Sequence, residues 1–300
     1  MIKDMFINAA MKHKYIKYIS FSVIFFGLLG IVAWQLAVVQ DKCSFQPDGY
    51  QKWNCLSPYF EELTNSGSTA AAMEEAIKLK EDRVVADCHL FGHVIGETAL
   101  EKYDFDTGQA FSSCILGCSN GCFHGVVERF IRNEPDPYDA LSKIQNMCDG
   151  IDEENDWLSK RNCIHGVGHG LLAHEYLSLE EAIDACEVFD VDGSSWSWPS
   201  FCKGGLVMEY MDQYLLLDLD ESDFREMIPK VCARIEDIES ELVEVCLDVL
   251  SLGILYNTGY DLRRSEDLCE ELPDPGHVET CRILLFKNVM GERPSILKGF

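Results

Sequence analysis

Three segments of the chain each place a histidine four residues before a second side chain that can bind a metal ion. The pairs are His93 with Glu97, His124 with Glu128, and His165 with His169. On a helix, residues four apart lie on one face, one turn above each other. Facing helices that project histidine and glutamate inward are an established way to build a metal site. The spacing therefore predicts that three helices direct imidazoles and carboxylates to one shared polar site.

The candidate metal ligands are the histidines of these pairs, a further histidine one turn before the first pair, and a glutamate from a fourth segment. They are His89, His93, His124, His165, His169 and Glu209. Such a mixture of imidazole and carboxylate suits a divalent metal ion, with zinc, iron and manganese as the candidates. Glu97 and Glu128 are the candidate catalytic bases if a metal-activated water is the nucleophile. His174 is a weaker candidate, because it lies about 140° around the helix from His169.

The same residues also allow a structural interpretation. Histidines and glutamates inside a helical bundle can satisfy one another's hydrogen bonds. No complete motif such as H-E-x-x-H is present. Three hypotheses therefore stand, and whether the protein is an enzyme stays open among them. One is a divalent-metal site that supports metal-dependent hydrolysis, and the second is a non-catalytic interaction scaffold with a buried His/Glu network. The third, favoured by the acidic charge, is capture or delivery of cations at the cell surface.

The fourteen cysteines indicate a disulfide framework that forms in an oxidising compartment. Four successive pairs at similar separations would each staple the two helices of a hairpin: Cys148 with Cys163, Cys186 with Cys202, Cys232 with Cys246, and Cys269 with Cys281. Cys43 and Cys55 are expected to clip the segment before the first helices. The other four, Cys88, Cys114, Cys118 and Cys122, allow three connectivities, and the sequence does not choose among them.

The fold class predicted is all-α, with disulfide-stapled αα-hairpin repeats that form a solenoid or a partly closed helical toroid. The second cysteine of each hairpin recurs about every 40 residues, which is in the solenoid range. Helix-start signals support the hairpins. Asp136 precedes Pro137 as an N-cap, and Ser178 with Glu181 forms a capping box. One second helix is expected to start near Cys163.

An apolar run over residues 19–39 contains no charged residue and is long enough to span a bilayer as one transmembrane helix. Lysines precede it, so the positive-inside rule leaves residues 1–18 in the cytoplasm and places the repeat domain, residues 40–300, outside the cell membrane. A cleaved signal peptide is the alternative. The run is longer than a usual signal-peptide core and ends without a clear cleavage site, which favours an uncleaved single-pass anchor.

The formal net charge of the chain is −26, and the part beyond the membrane segment carries about −29 because four lysines and one aspartate precede it. Such a surface repels nucleic acid and anionic lipid headgroups and attracts cations. Nucleic-acid binding is therefore not expected. The expected contacts are the membrane, through the N-terminal anchor, and a peptide or protein partner on the concave face of the repeats. Neither a serine-hydrolase elbow nor a phosphate-binding loop is present.

Overall fold

The computed structural model describes residues 43, 46, 50–173, 177–190, 197–215 and 221–292. The chain divides into two compact units, Met1–Phe45 and Gln46–Phe300, and the helical domain is the second of them. The predicted membrane span over residues 19–39 and His174 lie outside the described residues. Among the residues that are described, no helix is long and apolar enough to cross a membrane.

The described part of the chain forms helices and contains no strand, which confirms the predicted all-α class. The helices are α1 (Tyr50–Ser66), α2 (Thr69–Glu81), α3 (His89–Lys102), α4 (Thr107–Ser113), α5 (Gly121–Asn133), α6 (Pro137–Asp149), α7 (Glu153–Ala173), α8 (Leu179–Ala185), α9 (Trp198–Leu215), α10 (Glu221–Ile238), α11 (Val243–Asn257), α12 (Leu262–Cys269) and α13 (Pro275–Glu292). Short 3-10 turns occupy Cys118–Asn120, Cys186–Phe189 and Ser240–Leu242.

Side-chain caps begin the shorter helices where the sequence predicts them. Asp136 accepts hydrogen bonds from the first turn of α6, and Pro137 lies in that turn. Ser178 and Glu181 form both halves of the capping box at the start of α8. Each such cap stabilises its helix by about 1 kcal/mol, because it satisfies backbone N–H groups that have no partner inside the helix.

Disulfide bonds staple the hairpins as predicted. The four local pairs are Cys148–Cys163, Cys186–Cys202, Cys232–Cys246 and Cys269–Cys281. The connectivity that the sequence left open is Cys88–Cys118 and Cys114–Cys122. Cys43 and Cys55 are disulfide-bonded as well, and no cysteine of the described residues is free. In the loop-entropy account, a bond that closes about fifteen residues contributes about 3 kcal/mol to stability.

The start of α7 differs from the expectation that this helix begins near Cys163. The helix begins at Glu153 and includes a kink at Asp156, where the backbone has a φ of −143°. The polar turns before the cysteine are helical because they make tertiary contacts that apolar spacing does not reveal. Lys160 lies over the ring of Trp198 at 5.1 Å and within 3.8 Å of Asp149.

The longer helices pack on one another in chain order, α3 on α5, α5 on α7, α7 on α9, α9 on α11 and α11 on α13. A continuous apolar core follows them from Ala86 to Val289. Glycine lets two of these pairs approach until their backbones touch. A Cβ added to Gly125 would lie 2.2 Å from the carbonyl oxygen of His93, and one on Gly205 would lie 1.9 Å from that of His165. Only glycine fits at such distances.

Gly204 and Gly205 offer a matched test of this close packing. A methyl group on Gly204 would meet the His165 ring at 3.7 Å, an ordinary contact, and alanine favours the helix by about 1 kcal/mol. We expect Gly204→Ala to leave stability unchanged or raised. Gly205→Ala should lower the free energy of unfolding by about 1–3 kcal/mol or more, because α7 and α9 must separate. Urea unfolding of both variants checks this, and equal midpoints would contradict it.

Candidate metal centre

Four buried imidazoles meet between α3, α5 and α7. They belong to His89, His93, His124 and His169, and one ring nitrogen of each lies within 4.8 Å of the others. We refer to these four residues as the four-histidine cluster. In a tetrahedral zinc site with bonds of about 2.1 Å, the ligand atoms are about 3.4 Å apart. A small inward movement of the rings is therefore enough for the cluster to hold a metal ion.

Helix contacts through glycine bring these rings together. Gly125 on α5 packs on the His93 carbonyl of α3, and a Cβ on Gly166 of α7 would lie 3.1 Å from the Cα of His124. The ring centroids of His93 and His169 are consequently only 4.7 Å apart, although one residue belongs to α3 and the other to α7. Bulkier residues at the glycine positions would hold the helices too far apart for one ion to reach all four rings.

The Nδ1 atoms of three cluster members are held by oxygen atoms outside the cluster. His89 donates to the carbonyl of Cys118 at 3.1 Å. The Nδ1 of His93 lies 2.9 Å from Glu128 Oε2, and the Nδ1 of His169 lies 3.3 Å from Glu209 Oε2. Metal-binding histidines are characteristically oriented in this way, with one ring nitrogen bonded to a carboxylate or carbonyl and the other left for the metal.

The acceptor for His89 has an unusual backbone. Cys118, Ser119 and Asn120 all have positive φ angles, of 48°, 49° and 65°, in the left-handed region that non-glycine residues seldom occupy. The Cys88–Cys118 and Cys114–Cys122 bonds hold the two ends of this turn. The disulfides thereby fix the carbonyl that orients the His89 ring.

The Nε2 atoms of His89 and His93 face each other at 3.2 Å. A carbonyl can only accept, so Nδ1 of His89 carries its proton and Nε2 of the neutral ring is a lone pair. If Glu128 is ionised, Nδ1 of His93 also donates, and two lone pairs point at one another. A cation between them removes this repulsion. The alternative is a proton on His93 Nε2, which requires a protonated Glu128 that donates to Nδ1.

The other two cluster members have ring nitrogens without any hydrogen-bond partner among the described residues. Both nitrogens of His124 are in this position, as is Nε2 of His169. These side chains are 3% and 0% exposed, so water does not supply the missing bonds from outside. Each unsatisfied buried polar group costs about 1–3 kcal/mol. A metal ion in the cluster would give a partner to one nitrogen of each of these two rings.

Burial keeps these histidines in the uncharged form that binds metals. It lowers the pKa of His89 and of His93 to about 4, with the neighbouring His93 adding to the effect on His89. Burial also lowers the pKa of His124 and of His169 well below the usual 6.5. At neutral pH, no proton therefore has to leave these rings before an ion binds.

A layer of carboxylates lies one helical turn beyond the imidazoles. Arg132 donates to Glu128 Oε1 at 2.9 Å and also forms a short hydrogen bond to Glu97. Burial, and then the charge of Glu128, raise the pKa of Glu97 to about 7 against the opposing effect of Arg132. Burial raises the pKa of Glu128 as well. Glu209 also interacts electrostatically with Arg132, so three carboxyl groups share one guanidinium beside the cluster.

The predicted site residues fall into three groups. His89, His93, His124 and His169 form the cluster. Glu128 and Glu209 hold its members, and an oxygen of each lies within 4.8 Å of a His169 nitrogen. Glu97 is joined to Glu128 through Arg132.

His165 lies beside the cluster rather than in it. Its ring centroid is 4.6 Å from that of His124, but its Nδ1 is 3.0 Å from the Phe201 carbonyl. Burial lowers the pKa of His165 to about 3.

Sequence reasoning missed two polar residues near the site. Arg132 follows Glu128 by four residues, and this spacing could have identified it as the counter-charge of the carboxylates. Asn162 is fully buried on α7, and neither its amide nitrogen nor its amide oxygen has a partner among the described residues. Its place between two charged or polar turns of a helix gives no signal that distinguishes it from a surface residue.

A cleft of about 640 Å³ opens beside the carboxylates. One wall is a stripe of α1 residues, and the other walls come from α3, α5 and α9. The lining residues are Trp53, Ser57, Glu61, Asn65, Leu90, His93, Val94, Glu97, Thr98, Glu101, Glu128, Arg132, Glu209 and Gln213. His93 is the member of the four-histidine cluster that lines the cleft, so the cleft connects the cluster with solvent.

No protein-family model matches the chain, and no curated protein or solved structure shows significant similarity to it.

The stability of the metal-free protein should fall as the pH is lowered from 7.5 to 5. Between about pH 4 and 6.5 the histidines of the unfolded chain bind protons, whereas the buried histidines of the folded protein stay neutral. Lowering the pH therefore favours unfolding. Glu97 and Glu128, whose pKa values are raised by burial, act in the opposite direction, but five buried histidines outnumber them. Thermal melts in EDTA at the two pH values measure the change.

Comparison with the His124→Phe variant tests the contribution of one histidine to this pH dependence. The variant lacks one of the histidines, so its loss of stability between pH 6.5 and 5 should be smaller than that of the wild type by up to about 2 kcal/mol. Identical pH dependences for the two proteins would show that His124 titrates normally.

Proposed function

We propose that this protein binds one divalent transition-metal ion through the ring nitrogens of His89, His93, His124 and His169. The observation that carries the proposal is a set of buried nitrogens, of which two face each other at 3.2 Å and three have no hydrogen-bond partner among the described residues. Neutral imidazoles in this number suit zinc, with iron and manganese as further candidates. Glu128, Glu209 and the Cys118 carbonyl would orient three of the four rings.

Charge balance supports a single ion. Glu97, Glu128 and Glu209 contribute three negative charges when ionised, and Arg132 contributes one positive charge. The imidazoles are neutral, so a divalent ion in the cluster makes the sum zero. Buried charge is tolerated when it is compensated in this way and is costly when it is not. Without the ion, protonation of the carboxylates relieves the excess, in agreement with the raised pKa of Glu97 and of Glu128.

We further propose that the helical domain lies outside the cell membrane and forms a repeat of hairpins. The apolar run over residues 19–39 and the lysines before it support a single-pass anchor with the helical domain outside the cell membrane. Fully disulfide-bonded cysteines agree with an oxidising compartment. The packing of successive longer helices supports a solenoid or partly closed toroid of hairpins.

His124→Phe separates metal binding from a purely structural role for the cluster. A phenyl ring fills the space of the imidazole but has no polar atoms that need hydrogen bonds. In EDTA the variant should therefore melt at or above the wild-type temperature. With zinc, the wild type should gain about 2.7 kcal/mol at a hundredfold excess of ion over Kd, and the variant should need at least about tenfold more zinc for the same gain. Elemental analysis should find one ion per wild-type chain.

His277→Phe is the matched control, because it removes a histidine of α13 that lies outside the cluster, near Glu236. It should respond to zinc as the wild type does. If the wild type neither retains metal nor gains stability from it, the metal proposal is wrong and the scaffold with a buried His/Glu network takes its place. The hydrogen-bonded series of Arg132, Glu128, His93 and His89 would then be its stabilising core.

Metal-dependent hydrolysis is the second candidate, and the cleft is the observation that favours it. Its volume is in the range of small-molecule sites, and Glu97 lies on its wall with a pKa of about 7. That pKa suits a general base which accepts a proton from water near neutral pH. Catalysis also requires one coordination position that is open to the cleft, so three of the four imidazoles would act as ligands.

Glu97→Gln tests the hydrolytic role in the metal-loaded protein. The variant should retain its metal but lose at least about a hundredfold in kcat on any ester or amide that the wild type cleaves, because the amide cannot accept the proton. Glu279→Gln, which removes an exposed charge from α13, is the control. A metal-loaded wild type that cleaves no member of a broad ester and amide panel would rule this role out.

A further inference from the structure

The cleft follows the helix axes away from the four-histidine cluster. Its lining residues recur every four positions on each wall: 53, 57, 61 and 65 on α1; 93, 97 and 101 on α3; 128 and 132 on α5; 209 and 213 on α9. Four residues correspond to about 6 Å along a helix, so the α1 stripe extends for about 18 Å. The cleft is thus an elongated passage rather than a round pocket.

Exposure increases step by step along this passage. On α3 the side chains of His93, Glu97 and Glu101 are 9%, 28% and 51% exposed. On α5, exposure rises from 6% at Glu128 to 34% at Arg132. The passage therefore begins at the cluster and ends at solvent, with Glu101 and the exposed Glu61 at its mouth.

Tight packing flanks the cluster at the helix crossings and at the end that carries the cysteines. Backbone contacts at Gly125 close the crossing of α3 with α5, and those at Gly205 close the crossing of α7 with α9. The end that carries the cysteines is covered by the disulfide-bonded turn whose Cys118 carbonyl binds His89. Of the four cluster members, His93 alone lines the cleft.

The passage has an excess of acidic groups. Five glutamates line it, whereas the arginines that contact them are Arg132, which bonds to Glu97 and Glu128, and Arg129, which pairs with Glu101 from outside the lining. An acidic cleft with apolar material on its walls concentrates cations and speeds their arrival. It equally disfavours phosphate, sulfate and other anionic ligands. Beyond the acids, the second feature that points to a cation is the set of buried histidine nitrogens behind the inner end that have no hydrogen-bond partner in the described part of the chain.

From the spacing, the exposure gradient and the charge together, we infer that the cleft is the route by which a divalent cation reaches the four-histidine cluster. Glu61 and Glu101 attract the ion at the mouth, and the inner carboxylates carry it past Arg132 to His93. This inference rests on the proposed metal function and adds to it the path of uptake and the residues that set its rate.

Cobalt(II) provides a visible probe of arrival, because its absorption changes when imidazoles replace water. Metal-free wild type and a Glu61→Gln/Glu101→Gln double variant are mixed with cobalt(II) in a stopped-flow instrument at low and at high salt. The double variant should take up cobalt at least about threefold more slowly at low salt, and its rate should depend less on salt, because charge steering is screened within about 10 Å at 0.1 M. The final absorbance should be unchanged.

The control is a Glu279→Gln/Glu241→Gln variant, which removes the same charge from exposed residues outside the cleft. It should take up cobalt at nearly the wild-type rate. If the cleft variant and this control are equally fast, with full final absorbance in both, the route is wrong while the metal site stands. If wild type gives no cobalt spectrum under any condition, the metal site itself is wrong, and the route is overturned with it.

Discussion

Direct contact between helix backbones is the constraint on which the candidate site depends. At Gly125 and Gly205 the space for a side chain is occupied by the carbonyl oxygen of a neighbouring helix. Helices that approach so closely place residues of α3, α5 and α7 within a few ångströms of one centre. The histidines can therefore meet in the interior, where burial keeps them neutral and leaves several of their nitrogens without partners among the described residues.

The polar residues are arranged in layers along the axes of these helices. Disulfide bonds lie at one end, imidazoles follow, and carboxylates with Arg132 come next before the cleft opens. Hydrogen bonds connect neighbouring layers: the disulfide-bonded turn orients His89 and Glu128 orients His93. Within the carboxylate layer, Arg132 holds Glu128 and Glu97. The middle layer contains the histidine nitrogens that lack partners among the described residues.

Local spacing accounts for what the sequence predicted. The four hairpin disulfides follow from short separations, and the meeting of His93, His124 and His169 follows from four-residue periodicity on helices that pack in order. Tertiary contacts account for what it could not predict. His165 bonds to the Phe201 carbonyl of α9, and the bonds of Cys118 and Cys122 depend on a left-handed turn formed by residues that rarely adopt one. The spacing of residues in the sequence reveals neither the contact with the Phe201 carbonyl nor the left-handed turn.

The left-handed turn at Cys118, Ser119 and Asn120 ties the imidazole geometry to thiol chemistry. The Cys88–Cys118 and Cys114–Cys122 bonds hold three non-glycine residues in that conformation together with a backbone hydrogen bond from Asn120 to the Gly117 carbonyl, and the carbonyl of Cys118 orients His89. Reduction would therefore affect His89 first, because it is the member of the cluster that bonds to this turn. Under the proposed metal function, formation of these two disulfides would complete the site, because they hold the turn whose carbonyl orients His89.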